Sequence, residues 1–292
     1  MIKIAIASGK GGTGKTFVST NIFYALTREN ISSVLADCDA EAPNVLSFFR
    51  TVRKETHEVV QHVPVIDVSK CTFCGKCHEY CNYNAIFILP PSGIISVIED
   101  LCHGCGACSV ACEYDAITEK PFPLGNVNIS LYNNSHPVIE ARMNTGIMSP
   151  VRVIKEALRH IRHEAEIVIL DSPPGTSCPF IQTVSQADYV ILVTEPTPFG
   201  LSDLRQSVET LRTMDSKFGV IINKAGMGNN DVREYLKKEG IDLLLEIPYS
   251  RETAGLYSAG RLLAEADESF GKQLLNVTEY ITGKYGNSNS QR

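Results

Sequence analysis

Short apolar runs recur along the chain between longer amphipathic stretches. Five of these runs predict buried strands, at residues 3–8, 33–36, 167–170, 190–194 and 220–222. A shorter run at 137–139 predicts an edge strand of the same sheet. Because stretches with helical periodicity separate most of these runs, the pattern favours parallel strands joined by crossovers.

Helical periodicity fills the stretches between the strands. Apolar positions three and four residues apart predict helices over 151–161, 201–211 and 270–281, and residues 15–28 predict a helix directly after the first strand. The polar residues 286–292 at the end of the chain predict disorder. The alternation indicates an α/β fold, with a mainly parallel twisted sheet and helices on both faces.

The composition fits an ordinary globular protein of one or two domains. The chain has 292 residues, of which 43% are hydrophobic and 21% charged. Its formal net charge of −6 predicts no general attraction to nucleic acid or to anionic lipid. The sequence has neither a signal-peptide pattern nor an apolar run near the ~20 residues of a membrane span. We therefore expect a cytoplasmic protein with no nucleic-acid or membrane partner.

A glycine-rich stretch between the first strand and the first helix fits the P-loop pattern. It consists of Gly9, Lys10, Gly11, Gly12, Thr13, Gly14, Lys15 and Thr16. Glycines let consecutive backbone N–H groups curl around a polyphosphate, and the following helix points its positive dipole end at the same phosphates. Lys15 is expected to reach the β- and γ-phosphates, and the Thr16 hydroxyl to ligate Mg²⁺. The stretch predicts a site for ATP or ADP with Mg²⁺.

Aspartates follow two other strands, at the carboxyl ends where open α/β sheets bind their ligands. Asp37 and Asp39 follow the second strand, and a pair of aspartates that caps a turn is the alternative interpretation. Asp171 follows the strand at 167–170 as a Walker B carboxylate does. It is expected to hold Mg²⁺ through water or through Thr16.

Eight of the ten cysteines are crowded into one part of the chain, which points to metal rather than to disulfides. They form two C-x₂-C-x₂-C-x₃-C runs, the second 31 residues after the first. Bacterial ferredoxins with two [4Fe–4S] clusters have this spacing, and the fourth cysteine of each run ligates the other cluster. Cluster I is therefore predicted on Cys71, Cys74, Cys77 and Cys112, and cluster II on Cys81, Cys102, Cys105 and Cys108.

Zinc is the competing metal for these cysteines. Zinc sites usually pair two-cysteine knuckles across a longer spacer, so the three-cysteine runs favour the clusters. Asn82 and Glu113 stand where a proline usually follows the fourth cysteine. Each fourth cysteine is expected at the start of a short helix that faces the opposite cluster.

The cysteine-rich segment predicts a small α+β ferredoxin-like domain inserted at residues 64–120. An ATPase domain is then formed by residues 1–63 and 121–292. The insertion carries seven acidic and three basic residues. An acidic face suits a basic patch on a redox partner.

The P-loop has a lysine, Lys10, at a position that an ordinary P-loop leaves free. The string Lys-Gly-Gly-Thr-Gly-Lys-Thr resembles the deviant Walker A loop of the MinD/ParA superfamily of ATPases, which includes the nitrogenase iron protein. This resemblance, which extends over nearly the whole chain, implies that Lys10 reaches across a homodimer to the partner subunit's ATP. It also implies that Asp39 orients the attacking water. Lys10, Lys15 and Asp39 are thus the expected catalytic residues.

The resemblance also assigns residues on the other walls of the nucleotide site. It implies that the Gly175 amide senses the γ-phosphate and that Asn223, followed by Lys224, reads the edge of adenine. The loop around Pro248 resembles the loop that packs on the base. In the nitrogenase iron protein a cluster-ligating cysteine lies at a spacing similar to that of Cys178, but a small buried thiol is the favoured interpretation of Cys178.

Three functions are compatible with these motifs. The favoured one is an ATP-hydrolysing dimeric switch coupled to electron transfer through two [4Fe–4S] clusters, because a switch without a redox task has no need of eight cluster ligands. The second is an ATPase that assembles or carries iron–sulfur clusters, although four ligands from one chain should hold each cluster tightly. The third is a positioning ATPase of the ParA or MinD kind, which the acidic charge disfavours. The identity of the redox partner does not follow from the cysteines.

Overall fold

The computed structural model describes residues 1–161 and 164–286, so residues 287–292 of the predicted disordered end lie outside it. Its strands are β1 (Ile2–Ala7), β2 (Ser33–Asp37), β3 (Thr51–Ile66), β4 (Ile86–Leu89), β5 (Ile94–Val97), β6 (Ile117–Tyr132), β7 (His136–Met143), β8 (Ile167–Asp171), β9 (Tyr189–Thr194), β10 (Phe218–Ala225) and β11 (Leu243–Pro248). Its α-helices are α1 (Lys15–Arg28), α2 (Lys76–Glu79), α3 (Ala107–Ala111), α4 (Val151–Arg159), α5 (Cys178–Val184), α6 (Pro198–Thr213), α7 (Asp231–Glu239), α8 (Arg251–Ser258), α9 (Leu263–Ala266) and α10 (Glu268–Tyr285).

Most of the strands in the described residues form one sheet, in the order β11-β10-β9-β1-β8-β2-β7-β6-β3. Every neighbouring pair from β11 to β7 is parallel, and the last two pairs are antiparallel. The prediction of an α/β fold with a mainly parallel sheet is confirmed. A separate small sheet pairs β4 with β5.

The prediction of an edge strand at residues 137–139 is wrong. These residues belong to β7, which pairs with β2 on one side and with β6 on the other. Beyond β7 lie two long antiparallel strands, β6 and β3, and β3 forms the edge. Most residues in the first half of β3 are exposed, so this part of the strand has no apolar run to reveal it.

The long pair of β3 and β6 carries the cysteine-rich segment at its far end. β7 pairs only with residues 125–132 of β6, so the rest of the pair projects past the sheet. Residues 67–116 connect the two projecting ends, and they contain α2, α3 and the β4–β5 hairpin. The predicted boundaries at 64 and 120 fall inside the ladder of β3 and β6. The division into two domains stays a prediction, and the two parts share continuous strands.

Helices cover both faces of the large sheet, as the alternating pattern predicts. On one face α4, α5, α6 and α7 bury side chains such as Ile154, Phe180 and Leu204. On the other face α1 and α10 bury Phe23 and Leu274, among others. No helix in the described part of the chain is long and apolar enough to cross a membrane.

Candidate functional site

The glycine-rich loop connects β1 to α1 and lies at the carboxyl end of the sheet. Gly12 and Gly14 have φ angles of 80° and 100°, in the left-handed region that favours glycine. A Cβ on Gly14 would lie 2.2 Å from Asn223 Nδ2, so this position also lacks room for a side chain. The Ser8 hydroxyl donates to the carbonyl oxygen of Lys10 at 2.6 Å and helps to shape the turn. The loop therefore keeps its backbone close to the walls of the site.

Lys15, Thr16 and Asp171 meet at the start of α1. The Thr16 hydroxyl donates to Asp171 Oδ2 at 2.7 Å. Burial lowers the pKa of Lys15, an effect that the charges of Asp171 and Asp39 oppose. Burial raises the pKa of Asp171 to about 6, with the hydrogen bond from Thr16 acting in the opposite direction.

Two buried oxygens in this corner have no hydrogen-bond partner among the described residues: Thr13 Oγ1 and Asp171 Oδ1. Buried polar atoms without a partner are unusual in proteins, and they often mark a missing ion or water. A hydroxyl and a carboxylate oxygen are the donor types that Mg²⁺ prefers. The unpartnered Asp171 oxygen and the adjacent Thr16 hydroxyl thus fit magnesium ligands, and the unpartnered Thr13 hydroxyl fits a phosphate oxygen.

The two aspartates after β2 have different surroundings. Asp37 is fully buried and accepts hydrogen bonds from the backbone amides of Asp39, Asn44 and Val45 at 2.9–3.1 Å. Its burial and the nearby charge of Asp171 raise its pKa well above the usual range. Asp37 therefore caps the turn that follows the strand, as the alternative interpretation has it. Asp39 lines the open cavity instead, and burial raises its pKa while Lys15 opposes the shift.

A cavity of about 390 Å³ adjoins the loop, within the size range of small-molecule sites. Its lining includes many of the sequence-predicted residues, namely Gly11, Gly12, Gly14, Lys15, Thr16, Asp39, Asn223, Lys224 and Pro248. Tyr249 and Tyr257 add aromatic surface on the same side. The cavity combines a polyphosphate cradle with an aromatic wall, which are the two chemistries that a purine nucleotide requires.

Asn223 also supports the loop directly. Its Nδ2 donates to the carbonyl oxygen of Thr13 at 2.8 Å, and its Oδ1 accepts from the Lys224 amide at 2.9 Å. An amide side chain has two N–H groups and two lone pairs on its oxygen, so one of each is left for a base. Asn223 can therefore both position the P-loop and contact adenine.

Five of the predicted residues do not line the cavity, namely Gly9, Lys10, Thr13, Asp171 and Gly175. Two of these, Gly175 and Lys10, have other partners. The Gly175 amide donates to the carbonyl oxygen of Ser8 at 3.0 Å instead of facing the phosphate cradle. Lys10 Nζ lies 3.6 Å from Glu195 Oε2 of the same chain. Both residues must change partners before they can take the roles that the resemblance implies.

Glu195, like Tyr257 of the cavity wall, is a residue of this site that sequence reasoning missed. Its carboxylate is mostly buried, pairs with Lys10 and also accepts a hydrogen bond from Lys224, whose Nζ donates to the carbonyl oxygen of Gly12 at 3.1 Å. A signal for it exists, because Glu195 follows β9 directly and β9 is the neighbour of β1. The rule that identified Asp37 and Asp171 also applies to this position.

The eight crowded cysteines all lie within residues 67–116, which we call the module, and they line two separate small cavities. One is lined by Cys71, Cys74, Cys77 and Cys112, and the other by Cys81, Cys102, Cys105 and Cys108. The structure thus brings each predicted set of four together, with the fourth cysteine contributed by the other run. No three His, Cys, Asp or Glu side chains of the described residues converge where one metal ion could bind. A cubane cluster takes its four thiolates at four separate irons, so its ligands need not converge on one point.

Backbone groups in the cysteine loops support these two sets. The amides of Phe73, Ala85 and Gly104 donate to the sulfurs of Cys71, Cys81 and Cys102 at 3.3–3.4 Å. Hydrogen bonds to sulfur stabilise the thiolates of iron–sulfur centres and influence their potential. The donor set and its amide contacts therefore fit two [4Fe–4S] clusters.

Two expectations about cysteines are wrong. Each fourth cysteine follows its short helix, since Cys81 lies after α2 and Cys112 is the residue after α3; the third cysteine of each run is the one inside the helix. Cys178, the first residue of α5, is exposed rather than buried. The buried thiol outside the two runs is Cys38, directly after β2.

Comparisons with known proteins extend over most of the chain. A sequence profile described as CobQ/CobB/MinD/ParA nucleotide binding domain matches residues 4–291. The uncharacterized protein MJ0578 of Methanocaldococcus jannaschii is 35% identical, over 78% of this chain and 80% of that protein. The iron-sulfur cluster carrier protein of Pyrococcus furiosus is 22% identical, over 97% and 86%. One similar solved structure is that of the septum site-determining protein MinD of Pyrococcus horikoshii, complexed with Mg-ADP. Its TM-score is 0.59 at 16% identity, and the match covers 96% of this chain and 95% of that one. The two proteins therefore have the same α/β fold.

Proposed function

This chain belongs to the CobQ/CobB/MinD/ParA family of nucleotide-binding domains, and on that premise we propose that it is an ATP-hydrolysing dimeric switch that controls electron transfer through two [4Fe–4S] clusters. One observation carries the proposal. Eight cysteines line two cavities in sets of four, and each set draws its fourth member from the other run, as ferredoxin ligands do. A nucleotide switch alone has no use for such ligands.

The first part of the proposal, nucleotide binding and hydrolysis, uses the residues around the cavity. The P-loop amides and Lys15 would hold the phosphates, and the oxygens of Thr16 and Asp171 would hold Mg²⁺, which neutralises charge on the transferring phosphoryl group. Asp39 lines the cavity near Lys15 and would orient the attacking water. Asn223 and Pro248 would contact the base.

The second part of the proposal, dimer formation, depends on Lys10. In the structure this lysine is about one-third exposed and lies beside Glu195. With ATP bound, two subunits would meet face to face, and each Lys10 would leave Glu195 for the partner subunit's ATP. Hydrolysis followed by release of inorganic phosphate would remove charge that holds Lys10, so the subunits would separate again.

The third part of the proposal, electron transfer, uses the module at the end of β3 and β6. Its loop between Cys102 and Cys105 contacts the ATPase sheet and a helix on it: Gln61 Nε2 donates to the Cys102 carbonyl at 2.8 Å, and Arg152 Nη2 to the Gly104 carbonyl at 3.4 Å. Arg152 lies on α4, and α4 packs on α5, which follows the loop after Asp171. Contacts of this kind would let the nucleotide state bias cluster II.

The test compares cluster reduction in different nucleotide states. Anaerobically purified protein is mixed with dithionite in a stopped-flow instrument, and the visible absorbance of the clusters is followed with MgATP, with MgADP and without nucleotide. We expect the rate with MgATP to differ from the other two, and the difference to vanish in Lys10→Ala. Lys237→Ala, which changes an exposed lysine on α7, is the matched control and should behave as the wild type.

Equal rates in all nucleotide states would contradict the gating proposal. Absence of inorganic sulfide from anaerobic preparations would contradict the clusters themselves. Failure of MgATP to stabilise the protein against heat would contradict the nucleotide site. The three measurements separate the parts of the proposal from one another.

A cluster carrier is the second candidate, because relatives named iron-sulfur cluster carrier proteins align over 97% of this chain at 20–22% identity. A carrier releases its cluster to an acceptor, whereas an electron-transfer protein retains it. Incubation with an apo-ferredoxin separates the two functions. Retention of iron on this chain supports the switch, and transfer that depends on ATP supports the carrier.

A further inference from the structure

A second large cavity lies outside both the nucleotide site and the cysteine cavities. We call it the α4 groove. Its volume is about 570 Å³, and it is bounded by the projecting strands, the loop that contains Cys102 and His103, α4 and the start of α5. Small-molecule sites of proteins have volumes of about 300–1,000 Å³. The groove is thus large enough for an organic ligand, and neither proposed cofactor occupies it.

The floor of the α4 groove is apolar and one wall is cationic. Val59, Leu124 and Ile147 contribute apolar surface. Arg152, Lys155 and Arg159 follow one another at helical spacing on the exposed side of α4, and all three line the groove. An apolar body with an anionic group is the ligand type that matches such a surface.

The charges on this wall are only partly compensated. Among the described residues, the ion pairs of α4 involve Glu156 with Arg159 at 2.9 Å and with His160 at 3.5 Å. Arg152 donates to a neutral carbonyl, that of Gly104. Asp100 is the other acidic residue of the lining, on the opposite side of the groove. Arg152 and Lys155 therefore remain available for an anion.

The α4 groove adjoins the cavity that we assign to cluster II. Cys102 and His103 line both the α4 groove and the cavity of the predicted cluster II. Cys178, which begins α5 after the Asp171 loop, lines the groove from the other side. A bound molecule would therefore lie next to cluster II and next to a segment that follows the nucleotide site.

We propose that the α4 groove binds a small organic anion with an apolar body, held by Lys155 and Arg152 next to cluster II. The inference goes beyond the proposed switch, but it rests on the proposed cluster II because Cys102 and His103 form part of one wall. It requires neither ATP nor the dimer, so it can be tested in their absence.

The test uses anthraquinone-2-sulfonate, a planar apolar anion, as the probe. Its binding to the full chain, purified anaerobically and without nucleotide, is measured by equilibrium dialysis. We expect saturable binding at one site per chain that is about tenfold weaker in Lys155→Glu, because the substitution replaces an attractive charge by a repulsive one. Lys237→Glu makes the same change on α7 and should leave binding unaltered.

A second variant tests the location independently of charge. Cys178→Trp places bulk in the groove at an exposed position and should weaken binding at least as much as Lys155→Glu. The dication benzyl viologen should bind far more weakly than the anion. Equal binding of the probe by the wild type and both groove variants, absence of saturable binding, or equal binding of the dication would each overturn the proposal.

Discussion

At the scale of single residues, the buried carboxylate of Asp171 makes the stability of the folded protein depend on pH. Its folded pKa of about 6 lies above the ordinary value of 3.8, because burial disfavours the charged form. The folded state therefore binds the proton more tightly than the unfolded chain between these two values. Its contribution to stability is present below pH 3.8 and is lost as the pH rises through 6.

Asp171→Asn removes this charge and keeps an oxygen that can accept from Thr16. At pH 8 without nucleotide we expect the variant to be more stable than the wild type, by on the order of 2 kcal/mol. Denaturant unfolding at pH 8 and at pH 4 measures the change, which should be smaller at the lower pH. The stabilisation by MgATP should be lost in the same variant. A variant that is less stable at pH 8 would contradict the assigned cause of the shift.

Glu195 offers a second prediction at this scale. Glu195→Gln keeps the shape of the side chain but removes the charge that holds Lys10 and Lys224. We expect dimer formation at an ATP concentration roughly threefold lower, because a partly exposed ion pair contributes up to about 1 kcal/mol and must be broken on dimerisation. Sedimentation velocity over a series of ATP concentrations measures the shift. Glu209→Gln on α6 is the control, and weaker dimerisation of Glu195→Gln would show that Glu195 supports the dimer instead.

The residue scale is also where the sequence is most informative. The P-loop, Asp171 and the eight cysteines are recognisable because their chemistry fixes both residue type and spacing. The partner of Lys10 is not recognisable, since it lies 185 residues further along the chain and only the fold brings the two together. The difference between Asp37 and Asp39 depends on burial and on three backbone amides, which no local pattern specifies.

At the scale of elements, the strands predicted from apolar runs are those buried on both faces. β1, β8 and β9 lie at the centre of the sheet and are apolar along most of their length, as buried parallel strands are. β3 escapes prediction because most of its first half is exposed and much of it is charged, and because its partner β6 is more than fifty residues away. The prediction that β7 is an edge strand is wrong for the same reason, because β6 and β3 lie beside it.

The loop from Cys102 to Cys105, which carries ligands of the proposed cluster II, provides a prediction at the element scale. Gly104 has a φ of 59°, and a Cβ there would lie 2.9 Å from the carbonyl oxygen of His62 on β3. Gly104→Ala should therefore displace this loop and cost about half of the bound iron, with cluster I retained. Gly75→Ala is the matched control, because Gly75 also has a positive φ but has open space around its Cβ position.

Iron and sulfide analysis together with electron paramagnetic resonance of the reduced protein distinguishes the outcomes. A normal signal from one cluster in Gly104→Ala, with smaller losses in Gly75→Ala, supports the assignment of this loop to cluster II. Full iron content in Gly104→Ala would contradict it.

At the scale of the whole molecule, the two parts of the chain have very different cores. The large sheet is packed on both faces by helices, whereas the small core of the module consists of Cys77, Ile86 and Cys108, with Ile66, Ile95 and Ile117 packed around them. The other buried residues of the module are two alanines, Ala85 and Ala116. So few apolar side chains cannot offset the entropy of ordering about fifty residues. We therefore expect the stability of the module to come from the proposed clusters and from the paired strands that carry it.

Cluster removal should accordingly unfold the module and leave the ATPase sheet intact. After oxidation and chelation of the iron, we expect amides of residues 67–116 to exchange hydrogen within the shortest times measured, because the burial around Ile86 is lost with the clusters. Amides of β1 and β8 should stay protected, and MgATP should still raise the midpoint of thermal unfolding, because Lys15 and Asp171 belong to the large core. Reconstitution with iron and sulfide should restore the protection, which separates metal loss from chemical damage. A module that remains protected without iron would show that its own packing suffices, and it would remove the physical reason for assigning its eight cysteines to clusters.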